Sequence, residues 1–367
     1  MCVCPRQVTI FVLWKGITVT SPFLRRGAGG EVHDSRTTDL RLNKHVPTGR
    51  RGLGLALAAS TAFIWGTNPV ILKGLVESLD AYTIACFRFF VSAGVSMLVV
   101  ARRHGIRSTF DAARSSPILL IFSIVTMTAQ FTLFLSSLYY VSPSISQVVV
   151  QLSPILMLLG GLVLFGEKFG PRQWIGFGAF LAGLALFFNQ SYAELLSGSS
   201  AISSGVLLVV ASSSLFACYA LAQKQLLTIA PTESTLSLVF LSGALLLLPL
   251  SNPQRLLQLN QYQATLLALV AFLTPISYLA FGEALDNLET SRVGVILSTN
   301  PLITVSEMAF IAYAFPGLLE PEHLNSVSIL GAVLVVVSSM LVSLGPAGDG
   351  RYLDDHGHER IWGGRQA

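Results

Sequence analysis

The chain has 367 residues, of which 52% are hydrophobic and 11% charged, with a mean hydropathy of +0.66 and a formal net charge of +4. Ordinary soluble domains carry about 25% charged residues, so a water-exposed globule of this composition would lack the polar surface to cover itself, and the bilayer is the expected solvent. The small positive charge is spread over loops and tails and implies no nucleic-acid partner.

The first fifty residues differ from the rest. Val8 to Trp14 is apolar but short, Lys15 stops it, and no small-x-small cleavage site follows, so a signal peptide is not expected. Residues 25 to 51 are polar, basic and Gly-rich, a composition that does not fold. No Met stands between Met1 and Met97, so the expected start is a non-standard codon near Val46. Residues 1–51 then read as a disordered or mis-assigned tail.

Ten apolar stretches follow, over 53–74, 80–101, 117–138, 143–165, 172–190, 204–224, 233–250, 264–285, 291–313 and 326–345. Each approaches the roughly 20 residues that an α-helix needs to cross about 30 Å of hydrocarbon. Short turns rich in Pro, Ser, Asn and charge separate them. Several carry small residues, such as Gly160, Gly161 and Gly166, or Gly176, Gly178 and Gly183, which let helix backbones approach closely. Cys86 and Cys218 lie within spans, where a free thiol behaves as a small apolar side chain. Cys2 and Cys4 have no His or second Cys pair near them, so no metal and no cofactor is expected. The polar stretch 346–367 reads as a solvated tail in spite of His356 and His358.

The second five stretches repeat the first five. Phe131 to Pro154 lies on Tyr278 to Pro301 without a gap, shifted by 147 (301 − 154). Gly54 to Lys73 lies on Gly205 to Lys224, shifted by 151 (224 − 73). The two units are 52–190 and 203–345. Five spans per unit is an odd number, so the second must run inverted to the first, an arrangement typical of transporters. With the amino terminus inside, the inner loops hold Arg102, Arg103, Arg107, Arg114, Lys168, Arg172, Lys224 and Arg292, and the outer loops hold Lys73 and Arg255. That asymmetry obeys the positive-inside rule and places both termini in the cytoplasm. The expected fold is therefore an all-α integral membrane protein of ten transmembrane helices in two inverted five-helix repeats, multi-pass in the cell (inner or plasma) membrane.

Polar groups inside spans are few and mark function or packing. Arg88 lies eight residues past Asp80, about 12 Å into its span. It either ties helices together through backbone carbonyls or meets a substrate. Glu307 is deep in the ninth span and Glu283 near the end of the eighth; both are candidate proton-coupling groups. For Glu307 the alternative is a salt bridge to Arg88; for Glu283 it is interfacial water. Gln130, Gln147, Gln151, Ser298 and Asn300 are candidate substrate contacts or interhelical glue. Pro154 and Pro301 each remove a backbone hydrogen bond and free the carbonyl four residues back, at Val150 and Leu297. Two such interruptions in inverted repeats point to hinges beside a midplane site. Lys73 and Lys224 read as snorkelling anchors.

Several segments in order resemble a known family: Trp65-Gly66-Thr67-Asn68-Pro69, then Phe87-Arg88-Phe89-Phe90, then Ser142-Pro143-Ser144-Ile145-Ser146 with Pro154, Phe165-Gly166-Glu167-Lys168-Phe169 and Gln173-Trp174-Ile175-Gly176. The second copy has Ser291-Arg292-Val293, Asn300-Pro301, Glu322 and Gly331. Together these resemble the drug/metabolite transporter superfamily, and within it the EamA-type ten-helix transporters. There are departures: Glu322 stands eight residues further from its proline than Glu167 does, and Val239 replaces the arginine at Arg88's position. The resemblance implies secondary active transport, usually outward, of amino acids, other small metabolites or toxic compounds. It adds Trp65 and Asn68 to the candidate substrate contacts. The implied partners are a small-molecule solute, membrane lipid and possible protons, with a homo-oligomer allowed. The alternatives within transport are a sugar-phosphate or nucleotide-sugar exchanger, which would need more basic residues at depth, and drug efflux. An intramembrane enzyme finds no H-E-x-x-H, G-x-S-x-G or phosphate-loop motif here.

Overall fold

The computed structural model describes residues 51–103, 105, 107–165, 170–190, 201–226, 230–288, 290–317, 324–343, 351–353 and 359–361. The expected amino-terminal tail, the motif residues Glu167, Lys168 and Glu322, and the tail histidines His356 and His358 lie outside the described residues.

Helices occupy each of the ten apolar stretches. They are α1 Arg51–Val76, α2 Ala81–Arg103, α3 Arg107–Ser115, α4 Pro117–Ser137, α5 Pro143–Val150, α6 Leu152–Phe165, α7 Pro171–Phe187, α8 Ala201–Leu226, α9 Thr232–Leu247, α10 Gln261–Asn287, α11 Thr290–Leu297, α12 Asn300–Ala314 and α13 Ser326–Ser343. Among the described residues seven helices are long and apolar enough to cross a membrane: α1, α2, α4, α8, α9, α10 and the α11–α12 segment from Val293. The α5–α6 segment, α7 and α13 make up the rest of the ten.

Three differences from the sequence reading have physical causes. The fourth and ninth spans, expected to be continuous, are broken at Gln151 and at Ser298–Thr299. Pro154 and Pro301 have no N–H to give, so each sits in the first turn of a new helix, α6 or α12, where that donor is not needed. The loop after α2 contains α3, a short amphipathic helix packed against α9. In the tail, Arg351–Leu353 pairs antiparallel with Glu359–Ile361 as a small hairpin, β1 and β2.

Caps fix several helix starts. Pro117, Pro143 and Pro171 open α4, α5 and α7. Asn260 and Gln263 cap α10 reciprocally: Gln263 N–H donates to Asn260 Oδ1 at 2.8 Å, and Asn260 N–H donates to Gln263 Oε1 at 3.1 Å.

The major helix pairings all cross between the repeats. Span three (α4) lies on span six (α8), and span eight (α10) on span one (α1). Spans two and seven pair (α2 with α9), as do five and ten (α7 with α13). Exchanging the repeats turns the three–six contact into the eight–one contact and leaves two–seven and five–ten unchanged. The repeats are thus interleaved, and the core is the surface between them. Outside it, large apolar side chains such as Phe63, Ile118, Ile121, Ile175, Leu207 and Phe310 are exposed, as hydrocarbon solvent permits.

Glycines set the closest approach, at α7–α13. A Cβ on Gly183 would stand 2.9 Å from the Val335 backbone nitrogen, and one on Gly331 would strike the Phe187 backbone nitrogen and stand 2.8 Å from Gly183 O. A Cβ on Gly178 would meet nothing. Helix-interior Gly→Ala otherwise gains about 1 kcal/mol. Gly178→Ala should therefore hold or raise the unfolding temperature of the detergent-solubilised protein, and Gly331→Ala should lower it. Equal shifts would contradict the α7–α13 packing.

Candidate functional site

The repeat shifts found in the sequence become contacts in space. Trp65 and Phe216 are equivalent positions (216 − 65 = 151), and their rings meet edge-on at 6.1 Å. Phe89 and Phe240 (240 − 89 = 151) lie 5.3 Å apart, and Phe131 and Tyr278 (278 − 131 = 147) lie 6.0 Å apart. Gln151 and Ser298 (298 − 151 = 147) share a hydrogen bond, the Gln151 amide donating to Ser298 O at 2.7 Å. Residues related by a two-fold operation that touch each other must sit on or beside its axis. These four pairs therefore trace the pseudo-two-fold axis through the molecule. Further ring contacts join them: Trp65 lies 5.3 Å from Tyr278 and 5.2 Å from Phe281, and Phe89 lies 4.9 Å from Phe131.

Beside the rings, the interrupted helices are braced by side chains. Pro69 inside α1 deprives Trp65 O of its helical donor, and the Gln147 amide supplies one at 2.7 Å. The next carbonyl, Gly66 O, accepts from Thr304 Oγ1 at 2.6 Å. In α12 the Leu302 N–H turns to Thr299 O at 3.0 Å, which leaves Ser298 O for Gln151. The Asn300 amide faces two acceptors, Leu297 O at 2.8 Å (the carbonyl Pro301 frees) and Ala62 O at 3.2 Å, a pattern that assigns its nitrogen to that side. Span one is thus knitted near Pro69 to the broken spans four and nine. Gly66 allows this: a Cβ there would lie 2.8 Å from Ile303 Cβ.

Arg88 is 2% exposed. Its Nε donates to Thr274 Oγ1 at 3.0 Å, and its guanidinium carbon stands 4.9 Å from the centre of the Phe131 ring. It ties helices through a side-chain hydroxyl, not the backbone carbonyls expected. Tyr278 lies near it and is hydrogen-bonded by the Gln130 side chain, and the Gln130 backbone carbonyl accepts from Ser212 Oγ at 2.9 Å.

The acidic candidates part company. Glu283 accepts from Arg103 Nη1 at 2.6 Å, and the same nitrogen reaches Glu233 Oε1 at 3.1 Å. This ion pair joins the ends of α2, α9 and α10, and the Glu283 side chain is 41% exposed while making it. Glu307 does not pair with Arg88; its Oε1 is 2.6 Å from Thr67 Oγ1. The Thr67 hydroxyl also lies 2.9 Å from Phe63 O and has one hydrogen for two acceptors. With Glu307 ionised, Thr67 donates to the carboxylate. With Glu307 protonated, the acid donates to Thr67, and Thr67 donates to Phe63 O. The same heavy-atom positions thus keep the Thr67–Glu307 hydrogen bond in both protonation states, while Glu307 Oε2 is buried without a partner among the described residues. This pair lies on the flank of α1 that carries the exposed Phe63, off the aromatic column. Asn68 Oδ1 is buried without a partner among the described residues. Lys73, expected as an anchor, donates to Leu138 O at 2.7 Å and so caps α4. A groove of about 290 Å³ lined by Val70, Glu77, Tyr262, Gln263 and Ile311 shares no residue with the column.

The column thus gathers Trp65, Arg88, Gln130, Gln147, Gln151, Ser298 and Asn300. Sequence reasoning missed Pro69, Phe216, Thr274, Tyr278 and Thr304. Pro69 could have been found by the freed-carbonyl rule, and Phe216 and Tyr278 by applying the repeat shifts to Trp65 and Phe131. Thr274 and Thr304 carried no local signal.

Comparison with known proteins identifies the scaffold. The model of the EamA-like transporter family matches residues 52–189 and again 203–344, so the chain belongs to that family and is a membrane transporter. An uncharacterized transporter of Haemophilus influenzae is 32% identical over 298 residues, covering 80% of this chain and 95% of its own. The uncharacterized inner membrane transporter YhbE of Escherichia coli K12 is 31% identical, covering 85% and 94%. A probable amino-acid metabolite efflux pump of the same organism is 23% identical, covering 76% and 91%. One solved crystal structure superposes with a TM-score of 0.58 at 16% identity, covering 80% of this chain and 98% of its own; it bears on the fold alone.

The brace at Trp65 yields a double-mutant test. Gln147→Leu strands the Trp65 carbonyl and should cost about 1–3 kcal/mol. Pro69→Ala returns a backbone N–H to that carbonyl, so the double variant should recover most of the loss in detergent unfolding. Purely additive effects would mean Gln147 is not the donor that replaces the helical one.

Proposed function

We propose that this transporter exports a small organic metabolite, amino-acid-like in size, by alternating access of one five-helix repeat against the other, with both termini in the cytoplasm. One observation carries the reading: the breaks of the fourth and ninth spans meet each other at equivalent positions, Gln151 and Ser298, on the pseudo-two-fold axis. Broken helices at a repeat interface hold backbone groups through exchangeable side-chain bonds that a solute can replace, and rocking about such an axis can expose them to either side. The ring-lined column supplies an apolar wall, with Gln130, Asn68 and Asn300 as polar contacts. The relative named as a probable amino-acid metabolite efflux pump supports both the substrate class and the outward direction.

Glu307 is proposed as the proton-coupling group. Support comes from the Thr67 hydroxyl, which can donate to the carboxylate or accept from the acid at the same position, and from the buried, unpartnered Oε2, which is where a proton could reside. Glu283, committed to Arg103, is the weaker choice.

Solute counterflow into proteoliposomes tests the reading. Gln151→Ala and Asn300→Ala should each lower counterflow several-fold per folded protein; unchanged rates in both would place the solute elsewhere. Glu307→Gln keeps size and hydrogen bonding but cannot release a proton. It should abolish accumulation driven by a proton gradient and leave counterflow intact. Normal gradient-driven accumulation by a stable Glu307→Gln protein would remove Glu307 from the coupling step.

A further inference from the structure

We infer that Arg88 is a receptor for a carboxylate, so that the solute is a small carboxylate-bearing molecule whose body lies against the aromatic column; this rests on the transport reading above. The guanidinium has five N–H donors in a rigid fork. Nε is taken by Thr274 Oγ1, and the face of the group is taken by the Phe131 ring. The two terminal nitrogens make no hydrogen bond, and no carboxylate lies within 4 Å, among the described residues. The ion pairs that the structure does show belong to Arg103, at the far end of the same helix.

A buried cation in the hydrocarbon layer is costly, and a ring face offsets only part of that cost. Packing does not require the charge. The equivalent position in the second repeat is Val239, fully buried on α9, and the α2–α9 pairing is closed there without a charge. Phe89 and Phe240, the next residue in each repeat, meet symmetrically at 5.3 Å. The scaffold is thus two-fold and the cation is not. A lone guanidinium whose Nη groups are free presents the geometry that grips a carboxylate through two parallel hydrogen bonds.

The surroundings fit such a ligand. Tyr278 brings a hydroxyl to the neighbourhood of the guanidinium, and Gln130 hydrogen-bonds that hydroxyl. Ser92, one turn along α2, has a buried hydroxyl with no partner among the described residues. Trp65, Phe131, Tyr278 and Phe281 form a continuous ring wall leading from Arg88 to the helix breaks. A carboxylate neutralises a single arginine; a doubly charged phosphate would bring one charge too many for it.

Benzoate and benzamide test this directly, because they share shape and ring and differ in the carboxylate. Thermal unfolding of the purified full-length protein is measured against each, over a concentration series reaching millimolar. Benzoate should stabilise the wild type with an apparent affinity about tenfold to a hundredfold better than benzamide, the range expected for hydrogen bonds to a charged group. Arg88→Gln should abolish the difference, and Arg88→Lys should keep part of it. Equal shifts from both compounds, no benzoate shift in the wild type, or an undiminished benzoate shift in a folded Arg88→Gln protein would each overturn the inference. The comparison on the wild type needs no variant to fold. It is also independent of counterflow: loss of counterflow alone would bring down the transport reading, while a benzoate failure with intact counterflow would bring down only the carboxylate receptor.

Discussion

A backbone carbonyl in hydrocarbon must find a donor, and this requirement organises the centre of the molecule. Pro69, Pro154 and Pro301 each withhold one. Gln147 of span four supplies the donor that Trp65 O lacks, and the carbonyls of Ser298 and Gly66 likewise accept from other helices, from Gln151 of span four and Thr304 of span nine. Each brace joins helices that are far apart in sequence, and the Gln151 and Gln147 braces join the very elements that a rocking motion would separate or carry together. The weak points of the helices are therefore the strong points of the tertiary structure. Under the rocking motion proposed above, stability and the means of motion would be set by the same few bonds.

The second organising feature is broken symmetry. Interleaved inverted repeats place Trp65 with Phe216, Phe89 with Phe240, and Phe131 with Tyr278 on one axis. At that axis the chemistry is one-sided. Arg88 faces no second arginine, because its counterpart is Val239; Pro69 has Ala220 as its counterpart in α8; Gln151 donates to a serine's carbonyl, not to another glutamine. On the transport reading proposed above, a symmetric scaffold would give two equivalent halves to move against each other, and the unequal residues would give a solute one orientation within it.

The ten spans and the inverted duplication were legible because hydropathy over 20 residues and a constant shift between copies are properties of the chain itself. The repeat held more than was first taken from it: the shifts of 147 and 151 name the axis contacts. What could not be read were polar contacts between helices of different repeats. Glu283 and Arg103 are 180 residues apart, and Thr67 and Glu307 are 240 apart. No periodicity links them, and within a span that is apolar all round, one face looks like another. Local chemistry also misled at the prolines. A proline inside a long apolar run suggests a kink, yet at Pro154 and Pro301 the helix stops and restarts, because neighbouring glutamine and asparagine amides can satisfy the exposed backbone.

The account stands on Ser298 lying where the two breaks meet, alternately open to each side of the membrane. With Cys2, Cys4, Cys86 and Cys218 replaced, Ser298→Cys provides a single thiol at that point. Its reaction with a membrane-impermeant maleimide can be followed in right-side-out and in inverted membrane vesicles. The account predicts slow labelling from both sides. Labelling from one side only, or from neither, would contradict it.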